Sequence, residues 1–247
     1  TVGAARDSVE VLDRVLGVSL VKTDEGGQAL AGAEFTLEPV EGTFPDGSAV
    51  KTFTSDGFGA VFCDLQLAGS PEGRAYALTE TVPPVGYRAM DPVTILVYED
   101  GTVALDGETP EDAAALVQID NAGETPVVSV ADELVQVDLA KVSTGGGALA
   151  GAEFRIAGTF ADGTAERTVS VGEDGTAALE GLVAGETYTL TETVAPEGYE
   201  LIEGDFAFTV ALDGTVSGEA TSAAGLLGQR SAGYYVADDG LAVIAVD

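Results

Sequence analysis

YALTETVPPVGY (residues 76–87) comes back as YTLTETVAPEGY (residues 188–199). Side chains alternate along a β-strand, so Tyr76, Leu78 and Glu80 share one face, as do Tyr188, Leu190 and Glu192. A face carrying Tyr and Leu points to a core. Each copy therefore turns a glutamate inward. Outward from these strands the repetition continues: GGQALAGAEFTLEPV (26–40) matches GGGALAGAEFRIAGT (145–159). Such self-similarity marks repeated structural units. Short β-rich runs alternate with turn signals, and Asp-Gly occurs at Asp46, Asp56, Asp100, Asp106, Asp162, Asp174, Asp213 and Asp239. Flanked by such runs, Asp-Gly signals a hairpin turn. The pattern predicts an all-β chain of two tandem immunoglobulin-like β-sandwiches, residues 17–133 and 134–247. TPEDAAAL (109–116) predicts one short helix, capped by Thr109 with Pro110 in its first turn. ATSAAGLLGQ (220–229) is a weaker helical candidate at the matching place.

Composition narrows the function. The net charge is -32, which repels nucleic acid and anionic lipid and removes both as partners. There is no histidine, which excludes Ser-His-Asp and Cys-His catalysis and His-based zinc sites. A single cysteine, Cys63, leaves no disulfide within the chain. No apolar run is long enough to span a bilayer. The acidic turns lack EF-hand ligand spacing, so no metal or other cofactor is expected. A hydrolase using paired carboxylates is disfavoured, because composition alone supplies such pairs and Trp is absent. The chain begins at Thr1 and reads as a fragment of something longer; it holds no sorting signal and no pilin-type lysine motif.

The three lysines are Lys22, Lys51 and Lys141. Val18, Leu20 and Lys22 share a strand face in VSLVK, and Val137, Leu139 and Lys141 do so in VDLAK. Lys51 has no counterpart and reads as a solvated charge. VSVAD places Asp132 with Val128 and Val130; VIAVD places Asp247 with Val243 and Ala245. Each repeat thus offers an inward lysine early, a glutamate midway and an aspartate at its end. VEVLD ends at Asp13, nine residues before Lys22, as Asp132 lies nine before Lys141. Residues 1–16 therefore read as the last strand of a preceding repeat plus a linker, with Asp13 its orphan acceptor. Asn121, the one asparagine, shares parity with Val117 and Ile119.

Two chemistries fit a buried Lys-Glu-Asp set. One is an ion cluster, costly in a core and left with surplus negative charge. The other is an amide between lysine and aspartate. Burial favours neutral forms, a neutral amine is a nucleophile, and a glutamate in contact can move protons. The residues alone leave both open.

YALTETVPPVGY and YTLTETVAPEGY resemble the E-box of Gram-positive pilins and surface adhesins, of general form L-x-E-T-x-A-P-x-G-Y. With GGxALAGAEF, the chain resembles the B-type repeats of collagen adhesin and the SpaA-like, prealbumin-fold pilin domains, over nearly all of both repeats. The resemblance implies an intramolecular isopeptide bond in each repeat: Lys22 to Asp132 assisted by Glu80, and Lys141 to Asp247 assisted by Glu192. VIAVD resembles the last strand of members engineered as a split tag and catcher, where the acceptor is an aspartate. Pro83 departs from the pattern, where alanine is usual. Family acceptors are often Asn, which makes Asn121 the runner-up to Asp132. The implied role is a non-enzymatic stalk or backbone module of a secreted, cell-wall-anchored adhesin or pilin, partnered by neighbouring repeats of the same protein. The alternative is an adhesin module whose loops bind host matrix protein or glycan.

Overall fold

The computed structural model describes residues 15–224 and 229–247. Asp13, with the strand expected before it, and part of the weaker helical candidate lie outside them. The first ten elements are β1 (Val15–Asp24), β2 (Glu34–Pro39), β3 (Lys51–Thr54), β4 (Ala60–Ala68), β5 (Arg74–Val82), β6 (Val93–Val97), β7 (Val103–Leu105), α1 (Glu111–Ala115), β8 (Val117–Asp120) and β9 (Val127–Asp132). The next nine are β10 (Val137–Val142), β11 (Glu153–Ala157), β12 (Glu166–Ser170), β13 (Thr176–Leu179), β14 (Thr187–Val194), β15 (Phe206–Val210), β16 (Val216–Gly218), β17 (Gly233–Val236) and β18 (Ala242–Val246). The described residues are all-β apart from α1.

Each repeat forms two sheets in the same order. The first has β4-β1-β9-β8 and β3-β2-β5-β6-β7; the second has β13-β10-β18-β17 and β12-β11-β14-β15-β16. First and last strands are therefore neighbours. In the second repeat they run parallel, with Lys141 opposite Ala245 and Val142 opposite Val246. Matching bonds, Ser19 N to Pro126 O (2.9 Å) and Asp138 N to Leu241 O (3.0 Å), hold the two pairs at the same offset. By contacts the chain divides into two units, one ending at Glu80 and resuming over Pro92–Ala131, the other made of Thr81–Asp91 and Asp132–Asp247.

Alternation builds each core. Val18, Leu20, Tyr76, Leu78, Val128 and Val130 are fully buried in the first; Leu139, Tyr188, Leu190, Val243 and Ala245 are in the second. The inward tyrosines keep their hydroxyls bonded, as a buried phenol needs. Tyr76 OH donates to Ala68 O and accepts from Ala68 N, both at 3.0 Å; Tyr188 OH donates to Thr159 O at 2.6 Å.

All eight Asp-Gly aspartates accept a hydrogen bond from the backbone N–H two residues on. In the β6–β7 loop, Tyr98 N bonds Thr102 O and Gly101 N bonds Tyr98 O, with Gly101 at φ 98°. This is a three-residue loop ending on a left-handed glycine, rather than a two-residue turn. The β15–β16 loop repeats it, through Ala211, Thr215 and Gly214. Two expectations need correction. Pro110, not Thr109, is the N-cap of α1, and no side chain caps it. The described part of 220–229 is not helical.

Candidate functional site

In the second unit, β10 carries Lys141 on its inward face beside Val137 and Leu139, and its side chain is fully buried. Lys141 Nζ lies 2.9 Å from Glu192 Oε1 and 2.5 Å from Asp247 Oδ1. Each partner is held from elsewhere. Ile202 N donates to Glu192 Oε2 at 2.7 Å, and Tyr234 OH accepts from Glu192 N at 3.3 Å. Asp247 continues β18: its N–H donates to Val142 O at 2.9 Å, and its carbonyl accepts from Thr144 N at 2.6 Å. The Phe154 ring lies 5.8 Å from the amine. Among the described residues, Lys141 Nζ, Glu192 Oε1 and Asp247 Oδ2 make no hydrogen bond of standard geometry. The amine is thus in contact with both carboxylates without the oriented bonds that stabilise a buried ion pair.

In the first repeat, Lys22 on β1 is fully buried, with Nζ 3.3 Å from Glu80 Oε1 and 5.6 Å from the Phe35 ring. Asp132, 1% exposed, ends β9, the strand beside β1. The same three positions are thus inward-facing in both repeats.

The lysine strands are held by a feature that sequence reading passed over. Lys22 N donates to Gly59 O at 2.7 Å, and Lys141 N donates to Gly175 O at 2.8 Å. Gly59 has φ 75°, and a Cβ there would lie 2.3 Å from Lys22 O. Only glycine lets the two backbones approach this closely. Gly175 was visible as part of an Asp-Gly turn, but its contact with the lysine strand was not. Tyr234 was missed as well. It stands opposite Ala245, as Val117 stands opposite Val130, so the first repeat has valine at its place.

Two lesser candidates lie elsewhere. Asn121 is exposed; its Oδ1 accepts from Val103 N at 2.9 Å and its Nδ2 donates to Val103 O at 3.0 Å. Strand β8 stops at Asp120, so alternation no longer fixes which way Asn121 points. Lys51 is paired rather than solvated, 2.5 Å from Asp46 Oδ2 and over the Phe44 ring. Its bond to Asp46 is the main reason that carboxyl is held well below the usual carboxylate range. Among the described residues no group of three or more His, Cys, Asp or Glu is placed to hold a metal ion.

A family model described as the SpaA prealbumin-like fold domain matches residues 17–110 and again 135–223. Solved structures similar to the chain include the C-terminal fragment of the pilus adhesin SpaC from Lactobacillus rhamnosus GG: 21% identity, 94% of this chain and 96% of that one, TM-score 0.43. Against a longer SpaC structure the match covers 94% of this chain and 31% of that one, at 22% identity and TM-score 0.40. The shaft pilin SpaA from the same organism matches at 18% identity over 81% of this chain and 94% of that one, TM-score 0.30. No curated protein matches by sequence.

Proposed function

The chain belongs to the SpaA prealbumin-like fold family, and on that premise we propose that residues 17–133 and 134–247 are load-bearing modules in a tandem array of a surface pilin or adhesin. Each is locked by one isopeptide bond, Lys22 to Asp132 and Lys141 to Asp247. The setting is secreted, at the cell wall, with neighbouring repeats as partners. The observation that carries the reading is the contact of one buried amine, Lys141 Nζ, with Asp247 at 2.5 Å and Glu192 at 2.9 Å.

The reaction balances without a co-reactant. The neutral amine attacks Cγ of the protonated aspartic acid. The N–C bond forms, the glutamate takes a proton from nitrogen and delivers it to the departing hydroxyl, and water leaves. Contact among the groups supplies the effective concentration. The product is a neutral amide, which removes the burial penalty of the charges. Each module reacts once, on itself. Closing a loop of roughly a hundred residues constrains the unfolded chain by ~4.7 kcal/mol, by analogy with a disulfide.

Intact-mass spectrometry tests this. The protein should be lighter than its sequence by two waters, and Glu80→Gln or Glu192→Gln should each restore one. A mass equal to the sequence returns both trios to ion clusters. An unchanged deficit in the glutamine variants clears the glutamates of a catalytic role. Loss of ammonia in place of one water, with the cross-link mapped to Asn121, overturns Asp132 as acceptor.

A further inference from the structure

The strands β5 and β14 continue into tails of one pattern, VPPVGYRAMD and VAPEGYELIE. Both turn alike, Tyr87 N bonding Pro84 O at 3.0 Å and Tyr199 N bonding Pro196 O at 3.1 Å. Their surroundings differ. The tail Thr81–Asp91 is part of the second unit. There Gly86 O accepts from Val135 N and Arg88 N donates to Glu133 O, both at 3.0 Å, and Ala89 N donates to Leu212 O at 2.7 Å. The Arg88 guanidinium pairs with Glu133, and Ala89 is only 8% exposed. In the second tail the matching residues are bare. Gly198 and Glu200 are exposed, Tyr199 is 41% exposed and Leu201 50%. Among the described residues, the backbone groups matching the three gripped ones, Gly198 O, Glu200 N and Leu201 N, have no hydrogen-bond partner. Beside them lies a groove of about 630 Å³ bounded by Tyr199, Leu201, Ile202, Thr221, Gly233 and Asp247.

We propose that this second tail is the docking surface for a following repeat of the same kind, gripped as the first tail is. The proposal rests on the reading of the chain as part of a tandem array, but not on the cross-link. Charge at the head position points to the occupant, since the turn is acidic in both repeats: Asp100 matches Asp213, which also faces Arg88. Glu200 stands where Arg88 does. Glu133 follows Asp132, and Arg14 follows Asp13 at the head of the first repeat. The ion pair is thus reversed in sign: Glu200 suits a head bearing Arg at the position of Arg14. The turn at Glu99, between β6 and β7, is the first repeat's counterpart of the Leu212 turn. The occupant is therefore a repeat with a head like residues 13–16 of this chain.

A single chain carrying residues 1–247 followed directly by a second copy from Arg14 tests this. Amide hydrogen exchange at Glu200 and Leu201 should slow about tenfold or more against the 1–247 chain, as expected for newly bonded amides. Glu200→Arg in the tandem protein should restore much of the fast exchange. Unchanged exchange at both amides, while core amides of the added copy are protected, overturns the proposal. Protection that survives Glu200→Arg overturns the charge pairing with an Arg14-type residue. Intact mass on the same sample reads the cross-links separately. Slowed exchange with no water deficit sinks the bond and leaves the docking surface; a full deficit with fast exchange does the reverse.

Discussion

Tyr234 gives the second site something the first lacks. Its ring is stacked on Phe206, 5.5 Å between centroids, and its hydroxyl accepts the backbone N–H of Glu192. Burial first, then the charges of Glu192, Asp205 and Asp247, push its pKa well above that of a free phenol. The raised value fixes the sign. The stabilisation is intact below the unfolded value of about 10 and is lost as pH climbs through the folded one. Above pH ~10 the loss approaches ~1.4 kcal/mol per pH unit for each such tyrosine. Thermal unfolding of the second repeat at about pH 8 and about pH 11 should show it. Tyr234→Phe should shrink the alkaline loss, leaving a remainder from Tyr188, which burial also raises. At neutral pH the same variant should be destabilised by ~1–3 kcal/mol, because Glu192 N–H is left buried and unbonded. Equal alkaline sensitivity in variant and parent would remove Tyr234 from the account.

At the scale of elements, the local parts of the design were readable and the long-range parts were not. Alternation in YALTET and YTLTET put Glu80 and Glu192 in the core, and they are 5% and 4% exposed. It did the same for Lys22, Lys141 and Asp132. It failed at Asn121, because parity has meaning only inside a strand and β8 ends one residue earlier. Pro110 displaced Thr109 as cap for an equally local reason: with φ -53° and ψ 145° it is extended, outside the helix that starts at Glu111. The neighbouring of β10 and β18 joins the two ends of a repeat, and no window of sequence contains it. The approach of Gly59 to Lys22 is of that kind, and it yields a prediction. Gly59→Ala places a methyl 2.3 Å from Lys22 O at a positive φ. It should destabilise the first repeat by ~1–3 kcal/mol and slow loss of its water, the second repeat being unaffected. Chemical denaturation reads the stability, and intact mass followed from the newly made chain reads the water loss; a parent-like rate shows that the lysine strand does not depend on this contact.

For the molecule as a whole, the unit containing the second repeat also includes Thr81–Asp91. A fragment of residues 134–247 lacks that segment, and with it the partners of Val135 N and Leu212 O. It should unfold ~2 kcal/mol more easily than the same repeat in the full chain, at ~1 kcal/mol per lost bond. Chemical denaturation of fragment and parent checks this, and equal stability would show the segment to be dispensable. Under tension the proposed bonds predict a further contrast. Parallel β10 and β18 receive force at opposite ends, and a Lys141–Asp247 bond carries it past everything between. Single-molecule stretching should show no lengthening from either repeat, and one unfolding step in Glu192→Gln. A step in the parent would mean that the strands alone bear the load. The members of each trio come from the first strand, the fifth and the chain just at or after the last. If the chain is delivered N-terminus first through a secretion channel, each proposed bond has its amine and glutamate early but its acceptor only at the end. Such a bond would close only when nothing of the repeat remains to be pulled through.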